Sequence, residues 1–372
     1  MDDSRTVRIA LLTEIPAPFR IPLFNALAAR DGVTLEVVFL SEHDPRRTYR
    51  VYRDEFAFEY VVLPRVDFQA RGRWLAVNRG VVRTLRRFRP DVVVVGGWNQ
   101  PAFWQALAWA RRRGVPRVTW VESTARDVRS RSRAAALLRR AALAASTAFL
   151  VPGRASAAYL GSLGAAEERI FVAPNAVDLE IFGNRVAELR KRRESVRSEL
   201  GLERCTLLYV GRLVPEKDVD LAIEAAAGLD AELVLVGAGP DEERLRRLAA
   251  PERVRFVGRL ERDELPAWYA AADVLVHPSP SDTWGMSLSE GAAAGLPLVA
   301  TEAAGAAHDL IDDGVNGFRV PIGDREALAA ALKRLCADDA FREAAGRRSL
   351  ELAAGFTADA WADAVVRVAR QA

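Results

Sequence analysis

The feature that most limits what this chain can fold into is its rhythm. Short apolar runs rich in β-branched residues alternate with longer stretches of helical period from end to end. Strands and helices that alternate in this way assemble into parallel sheets covered by helices on both faces. In the first half the pattern predicts strands at 7–13, 34–40, 58–63, 91–95, 118–121, 148–151 and 170–172, with helices over 21–29, 74–88, 102–113, 134–145 and 155–163. In the second half it predicts strands at 206–210, 232–236, 254–257, 274–277, 297–301 and 317–320. Helices over 219–227, 242–249, 265–272, 286–294, 325–335 and 338–353 cover them.

A chain of 372 residues has room for two such cores. Turn residues at 174–178 end one alternating series, and a charged helix over 185–200 precedes the next, which places a boundary near residue 180. The expected organisation is therefore a doubly wound α/β domain over 1–180 and a second over 181–355. An amphipathic segment over 356–372 then either packs on the second domain or crosses back to the first.

Composition narrows the class of protein. Half the residues are hydrophobic and 28% are charged, the balance of a globular domain. No apolar run approaches the ~18–20 residues of a membrane span, and the first residues are polar, so neither a signal peptide nor a transmembrane helix is expected. The only cysteines, Cys205 and Cys336, suggest no disulfide framework or metal cluster, and a reducing, cytoplasmic setting is the expectation. Charge is unevenly divided: residues 1–178 carry a net +11 and residues 179–372 a net −8. The densest basic stretch, 126–140, flanks an Ala-Leu run with Arg126, Arg129, Arg131, Arg133, Arg139 and Arg140. It reads as a solvated helix face, as a peripheral contact with an anionic membrane at its inner face, or as a surface that meets an acidic acceptor. No aromatic residue interleaves these arginines to stack bases, so nucleic acid is not expected.

In open α/β sheets, ligands gather beyond the carboxyl ends of the strands, where loops run into helix N-termini. The chemistry-bearing residues fall there. After the strand ending at Val210 come Gly211, Arg212 and Lys217; two cations five positions apart can close around a diphosphate, or each can pair with a nearby carboxylate. Lysine is scarce, with three against 50 arginines, which makes Lys217 hard to dismiss as generic surface charge. The next strand runs into Gly237, Ala238 and Gly239, but no third glycine completes a dinucleotide fingerprint. Asp218 and Asp220 at a helix start read as N-capping and dipole complementarity, with no metal. Asp282 and Glu290, eight apart, sit at a helix mouth and more than a turn inside it. Free amides at Gly285, Met286 and Ser287 favour an anion between them. The alternative there is an ordinary N-cap with a solvent-facing glutamate.

These pieces occur in order: G-R-L-x-x-E-K at 211–217, V-G-x-G-P at 236–240, F-V-G-R at 256–259, P-S-x-x-D-x-x-G-x-x-x-x-E at 278–290 and D-G-x-N-G-F at 313–318. Together they resemble the family 4 retaining glycosyltransferases with a GT-B fold, in which two Rossmann-like domains face each other across a cleft. The resemblance is dense over 205–335 and looser over the first domain, where P-N-A-V-D at 174–178 resembles the family's interdomain motif.

The resemblance implies transfer of a hexosyl group from a UDP- or GDP-sugar to a hydroxyl of a glycan, lipid-linked or small-molecule acceptor, with retention and with no metal or other cofactor. Arg212 and Lys217 would hold the diphosphate and neutralise the leaving group. Asp282 would lie against the donor sugar, Glu290 would accept from the ribose, and Gly285, Met286 and Ser287 would offer amides to phosphate. Gly211, Gly237 and Arg259 would line the nucleotide pocket. Asp282 departs from the family's glutamate by one methylene. The glycine-rich loop after the first strand and a later histidine are also absent, and His277 reads as packing. Arg20, Trp98 and Glu122 follow first-domain strands and mark the acceptor side; Trp98 or Trp120 is either a sugar platform or core filling. An epimerase or phosphorylase on the same fold, or a non-catalytic nucleotide-sugar-binding subunit, stands as the alternative.

Overall fold

The computed structural model describes residues 6–43, 50–70, 73–127 and 133–372. Its strands in chain order are β1 (Val7–Thr13), β2 (Val33–Phe39), β3 (Glu59–Val62), β4 (Arg65–Ala70), β5 (Arg73–Asn78), β6 (Val92–Val95), β7 (Arg117–Trp120), β8 (Ala148–Val151) and β9 (Ile170–Val172), followed by β10 (Cys205–Val210), β11 (Ala231–Val236), β12 (Val254–Gly258), β13 (Val274–His277), β14 (Leu298–Thr301) and β15 (Gly317–Val320). Two parallel sheets result. The first has seven strands in the order β3-β2-β1-β6-β7-β8-β9, and the second has six in the order β12-β11-β10-β13-β14-β15. Central strands such as β6 and β13 are buried along their whole length, as strands covered on both faces must be.

Each sheet is sandwiched between two apolar layers. In the first domain, Ile9, Leu11, Phe24, Val94 and Trp120 fill one side, and Ala10, Leu12, Val95, Phe103 and Leu107 the other. In the second, Leu208, Val234, Leu275 and Leu288 face one layer, while Leu207, Tyr209, Leu233 and Leu328 face the other. The C-terminal helix Ala358–Gln371 crosses back to the first sheet. There Trp361 is fully buried against Phe24 and Trp120, with ring centroids 5.9 and 5.3 Å away. Arg30 fastens the same helix through Asp359 at 2.8 Å and Asp363 at 2.9 Å.

Two expected helices differ. The stretch predicted as helix over 74–88 begins as β5, which forms an antiparallel ladder with β4; only Val81–Phe88 is helical. The pattern at 73–78 fits either period, and ladder hydrogen bonding decides it, with the Asn78 side chain tied to the Leu40 carbonyl at 2.6 Å. The charged helix over 185–200 is two helices, Asn184–Arg190 and Arg193–Leu200. The break lets Arg193 and Arg197 reach the buried Asp273 at 2.7 and 3.2 Å. Cys205 and Cys336 are free thiols, yet the fold brings their sulfurs to 2.7 Å across 131 residues of sequence.

Candidate active site

In each sheet the strand order reverses between two central neighbours, β1 and β6 in the first and β10 and β13 in the second. Connections leave such a pair toward opposite faces, which opens a crevice beyond their carboxyl ends. The loops after β10 and β13 carry Gly211 to Lys217 and Pro278 to Gly285, so residues about 70 apart in sequence meet at the second crevice.

Lys217, at the end of a 3-10 turn, contacts the Asp282 carboxylate directly; their side chains are only 18% and 16% exposed. The partner of Lys217 is thus a carboxylate from another loop and not one of the helix that follows it. His277, the last residue of β13, approaches the same Asp282 oxygen, with Nε2 at 3.2 Å, while its Nδ1 lies 3.2 Å from Ser287 Oγ. The expectation that His277 merely packs is therefore corrected: it is a buried polar link between Asp282 and Ser287. Burial works against ionisation of Asp282, but His277 and Lys217 outweigh it and hold the carboxyl well below the usual range.

The helix Met286–Ala293 starts behind Gly285, whose φ of +93° suits a residue without Cβ; no side chain caps this helix. Its first amides are therefore available to an anion. One turn in, Glu290 receives the hydroxyl of the fully buried Tyr269, and burial pushes the Glu290 carboxyl up to about 7 in spite of that bond. Gly237 closes the opposite wall. A Cβ there would stand 1.8 Å from the Gly211 carbonyl oxygen, so the two loops approach only because residue 237 has no side chain.

Arg212 lies exposed on the β10 loop, where its carbonyl accepts from the Tyr209 hydroxyl at 2.9 Å, and Arg259 lies exposed just past β12. Neither is in direct contact with Lys217 in the way Asp282 is. Asp218 takes the N-cap position with φ +49° but makes no capping hydrogen bond, against expectation. Asp220 instead pairs with both guanidinium nitrogens of Arg244, at 2.8 and 2.9 Å.

At the first crevice Arg20 is the centre. It donates to Thr13 Oγ1 at 2.6 Å and to Glu122 Oε1 at 2.9 Å, and lies over the Trp120 ring at 4.6 Å. Trp120 is 2% exposed and packed on Trp361, so of its two readings core filling holds. Trp98 is half-buried against the apolar cluster that contains Val121, Leu143 and Phe149. Glu14 accepts from Asn99 at 2.8 Å and Gln100 at 2.7 Å, adding a carboxylate that sequence reasoning did not single out. The domains meet through Arg262 and Glu55 at 2.6 Å, Arg126 and Glu302 at 2.7 Å, and the Arg154 amide and Asp309 at 3.0 Å. Of the basic stretch, Arg129 and Arg131 lie outside the described residues, while Leu137 and Leu138 stand 66% and 43% exposed on the helix Arg133–Ala145.

Tyr269 and His277 were passed over as site residues because each stands in an apolar run that reads as core. Tyr269 sits in the apolar run of Leu265–Ala271, where an aromatic residue reads as core, and it is core apart from its hydroxyl. His277 ends a wholly buried strand.

Comparison with known proteins adds the following. Residues 204–338 match the family described as Glycosyl transferases group 1, and residues 23–181 match Glycosyltransferase Family 4. The D-inositol 3-phosphate glycosyltransferase of Kribbella flavida is 34% identical over 211 residues, 52% of this chain and 49% of that protein. The sulfoquinovosyl transferase SQD2 of Arabidopsis thaliana is 30% identical over 288 residues, 74% of this chain and 56% of that protein. The chain thus matches about half the length of these curated relatives. Among solved structures, Anabaena Alr3699/HepE in complex with UDP superimposes with a TM-score of 0.73 at 20% identity, covering 98% of both chains. The apo form of the lipopolysaccharide outer core galactosyltransferase WaaB gives 0.73 at 16% identity, covering 98% of this chain and 99% of that one.

Proposed function

The chain belongs to the group 1, family 4 glycosyltransferases and has their GT-B fold, and from that premise we propose that it transfers a hexosyl group from a UDP- or GDP-sugar to an acceptor hydroxyl, with retention. The observation that carries the reading is the meeting, at the switch point of the second sheet, of Lys217, an uncapped helix N-terminus and the half-buried Glu290. A cation and free amides suit a diphosphate, and a carboxylate one turn deeper suits the ribose hydroxyls beside it.

In this reading Arg212 and Lys217 neutralise the charge that grows on the diphosphate as the glycosidic bond breaks, a task that needs no metal. The amides of Gly285, Met286 and Ser287 hold a phosphate, Glu290 holds the ribose, and Gly211, Gly237 and Arg259 frame the nucleotide. Arg20, Glu122 and Trp98 face the acceptor across the crevice. Retention follows if the acceptor hydroxyl enters on the face the diphosphate leaves and a departing phosphate oxygen takes its proton. The acceptor is a glycan, a lipid-linked sugar or a small molecule. For a lipid-linked one, the exposed Leu137 and Leu138 with the arginines around them form a surface suited to the anionic inner face of a membrane. Among the described residues no helix is long and apolar enough to cross one.

The test is a thermal-shift panel of UDP-, GDP- and ADP-sugars, followed by release of nucleoside diphosphate from whichever donor stabilises the chain. Selective stabilisation together with slow release that disappears in Lys217→Ala is the expected result. Donor interconversion without acceptor marks an epimerase, and binding without release marks a non-catalytic subunit; either outcome refutes the transferase reading.

A further inference from the structure

The arrangement around Asp282 assigns that residue a task different from the one its place in the motif implies. Both carboxylate oxygens face groups of the protein. Oδ2 meets Lys217 Nζ and lies 3.2 Å from His277 Nε2, within ion-pair reach though off the N–H axis; Oδ1 accepts the Trp284 amide at 3.3 Å. His277 is 3% exposed, and its Nδ1 is engaged by Ser287 Oγ. With the proton on Nε2, Nδ1 accepts from the Ser287 hydroxyl, and that bond holds the Nε2 side of the ring beside the carboxylate. Gly285 leaves it room, because a Cβ there would stand 3.3 Å from His277 Nε2.

Aspartate is one methylene shorter than glutamate, and its reach here ends at Lys217. We propose that His277 and Asp282 form a buried clamp that fixes the ammonium group of Lys217 for the diphosphate, and that Asp282 does not grip the donor sugar. Both are positioning residues; of the three, only Lys217 touches the donor. The proposal rests on the donor-site reading above. It adds His277 to the site and reassigns Asp282 from sugar recognition to leaving-group alignment.

A nucleoside diphosphate without its sugar separates the two tasks. A sugar-gripping carboxylate has no effect on UDP or GDP, whereas a clamp on Lys217 affects the bare nucleotide and the sugar nucleotide alike. Calorimetric titration of the full chain with UDP and UDP-glucose, and with GDP and GDP-mannose, is compared between wild type, His277→Asn, His277→Gln and Asp282→Glu. His277→Asn and Asp282→Glu are expected to weaken both members of the bound pair by the same factor, about tenfold, the size of one lost contact to a charged group. His277→Gln places an amide nitrogen near the ring Nε2 position and is expected to lose no more than about threefold, a rescue that a packing role would not produce.

A loss confined to the sugar nucleotide returns Asp282 to the sugar and overturns the proposal. So does unchanged or tightened binding of both nucleotides in His277→Asn. If the His277 variants do not fold, Asp282→Asn, which keeps the side chain's size and removes its charge, carries the same comparison. Wild type that binds none of the four ligands refutes the donor-site reading and the clamp with it. Wild type that binds while every variant is unchanged refutes the clamp alone.

Discussion

Replacing Tyr269 by Phe removes one hydroxyl from the core of the second domain and should turn nucleotide binding into a steep function of pH. The hydroxyl donates to Glu290, whose carboxyl burial already pushes up to about 7. A hydrogen bond to a charged group contributes ~1.5–3 kcal/mol and one pKa unit corresponds to ~1.4 kcal/mol, so Tyr269→Phe should raise the carboxyl by a further one to two units, roughly. At pH 7 the wild-type group is about half ionised, and in the variant about a tenth or less remains so. If the carboxylate accepts from the ribose, affinity for the nucleoside diphosphate at pH 7 falls about fivefold or more and returns toward wild type by about pH 9. Stability moves with the opposite sign. The folded carboxyl titrates above its ordinary 4.5, so its contribution to stability is complete below about 4.5 and is lost as pH rises through about 7, and later still in the variant. Calorimetric titration between pH 6 and 9 on both proteins reads the effect. An affinity independent of pH in both, or a variant as weak at pH 9 as at pH 7, refutes the assignment of Glu290.

Gly237→Ala drives a methyl group into the Gly211 carbonyl and should destabilise the second domain by ~2–4 kcal/mol and abolish nucleotide-induced stabilisation, read by denaturant unfolding with and without UDP or GDP; a loss below ~1 kcal/mol contradicts the close approach. Arg20→Ala leaves Glu122 without its guanidinium partner and should raise the KM of the acceptor about tenfold or more while the KM of the donor stays within about twofold; unchanged transfer removes Arg20 from the acceptor side. Replacing Leu137 and Leu138 with Ser should abolish sedimentation with vesicles rich in anionic lipid, if wild type binds them at low salt and releases them at high salt. Wild type that never sediments ends the membrane reading.

The sequence by itself determined the two parallel sheets, because alternation of short buried strands with amphipathic helices is a local pattern. Gly211, Arg212, Lys217, Asp282 and Glu290 were singled out as candidates by another route, the ordered motifs in the loops and helix starts that follow two strands. Only tertiary structure decided the rest. The β5 ladder overrode a helical period that its six residues satisfied equally well, since the partner strand supplies hydrogen bonds that sequence spacing does not record. An amphipathic pattern that fits any apolar surface does not say where the C-terminal helix packs, and Trp361, tilted against Trp120, settles that it crosses to the first sheet. Likewise, no local signal joins Lys217 to Asp282, 65 residues away, or turns the last residue of a buried strand into a partner for both Asp282 and Ser287. Residue type and order specify which groups a crevice contains. Which carboxylate is left for the ligand, and which is already engaged by the protein's own cations, is set by distances that exist only once the two loops are folded side by side.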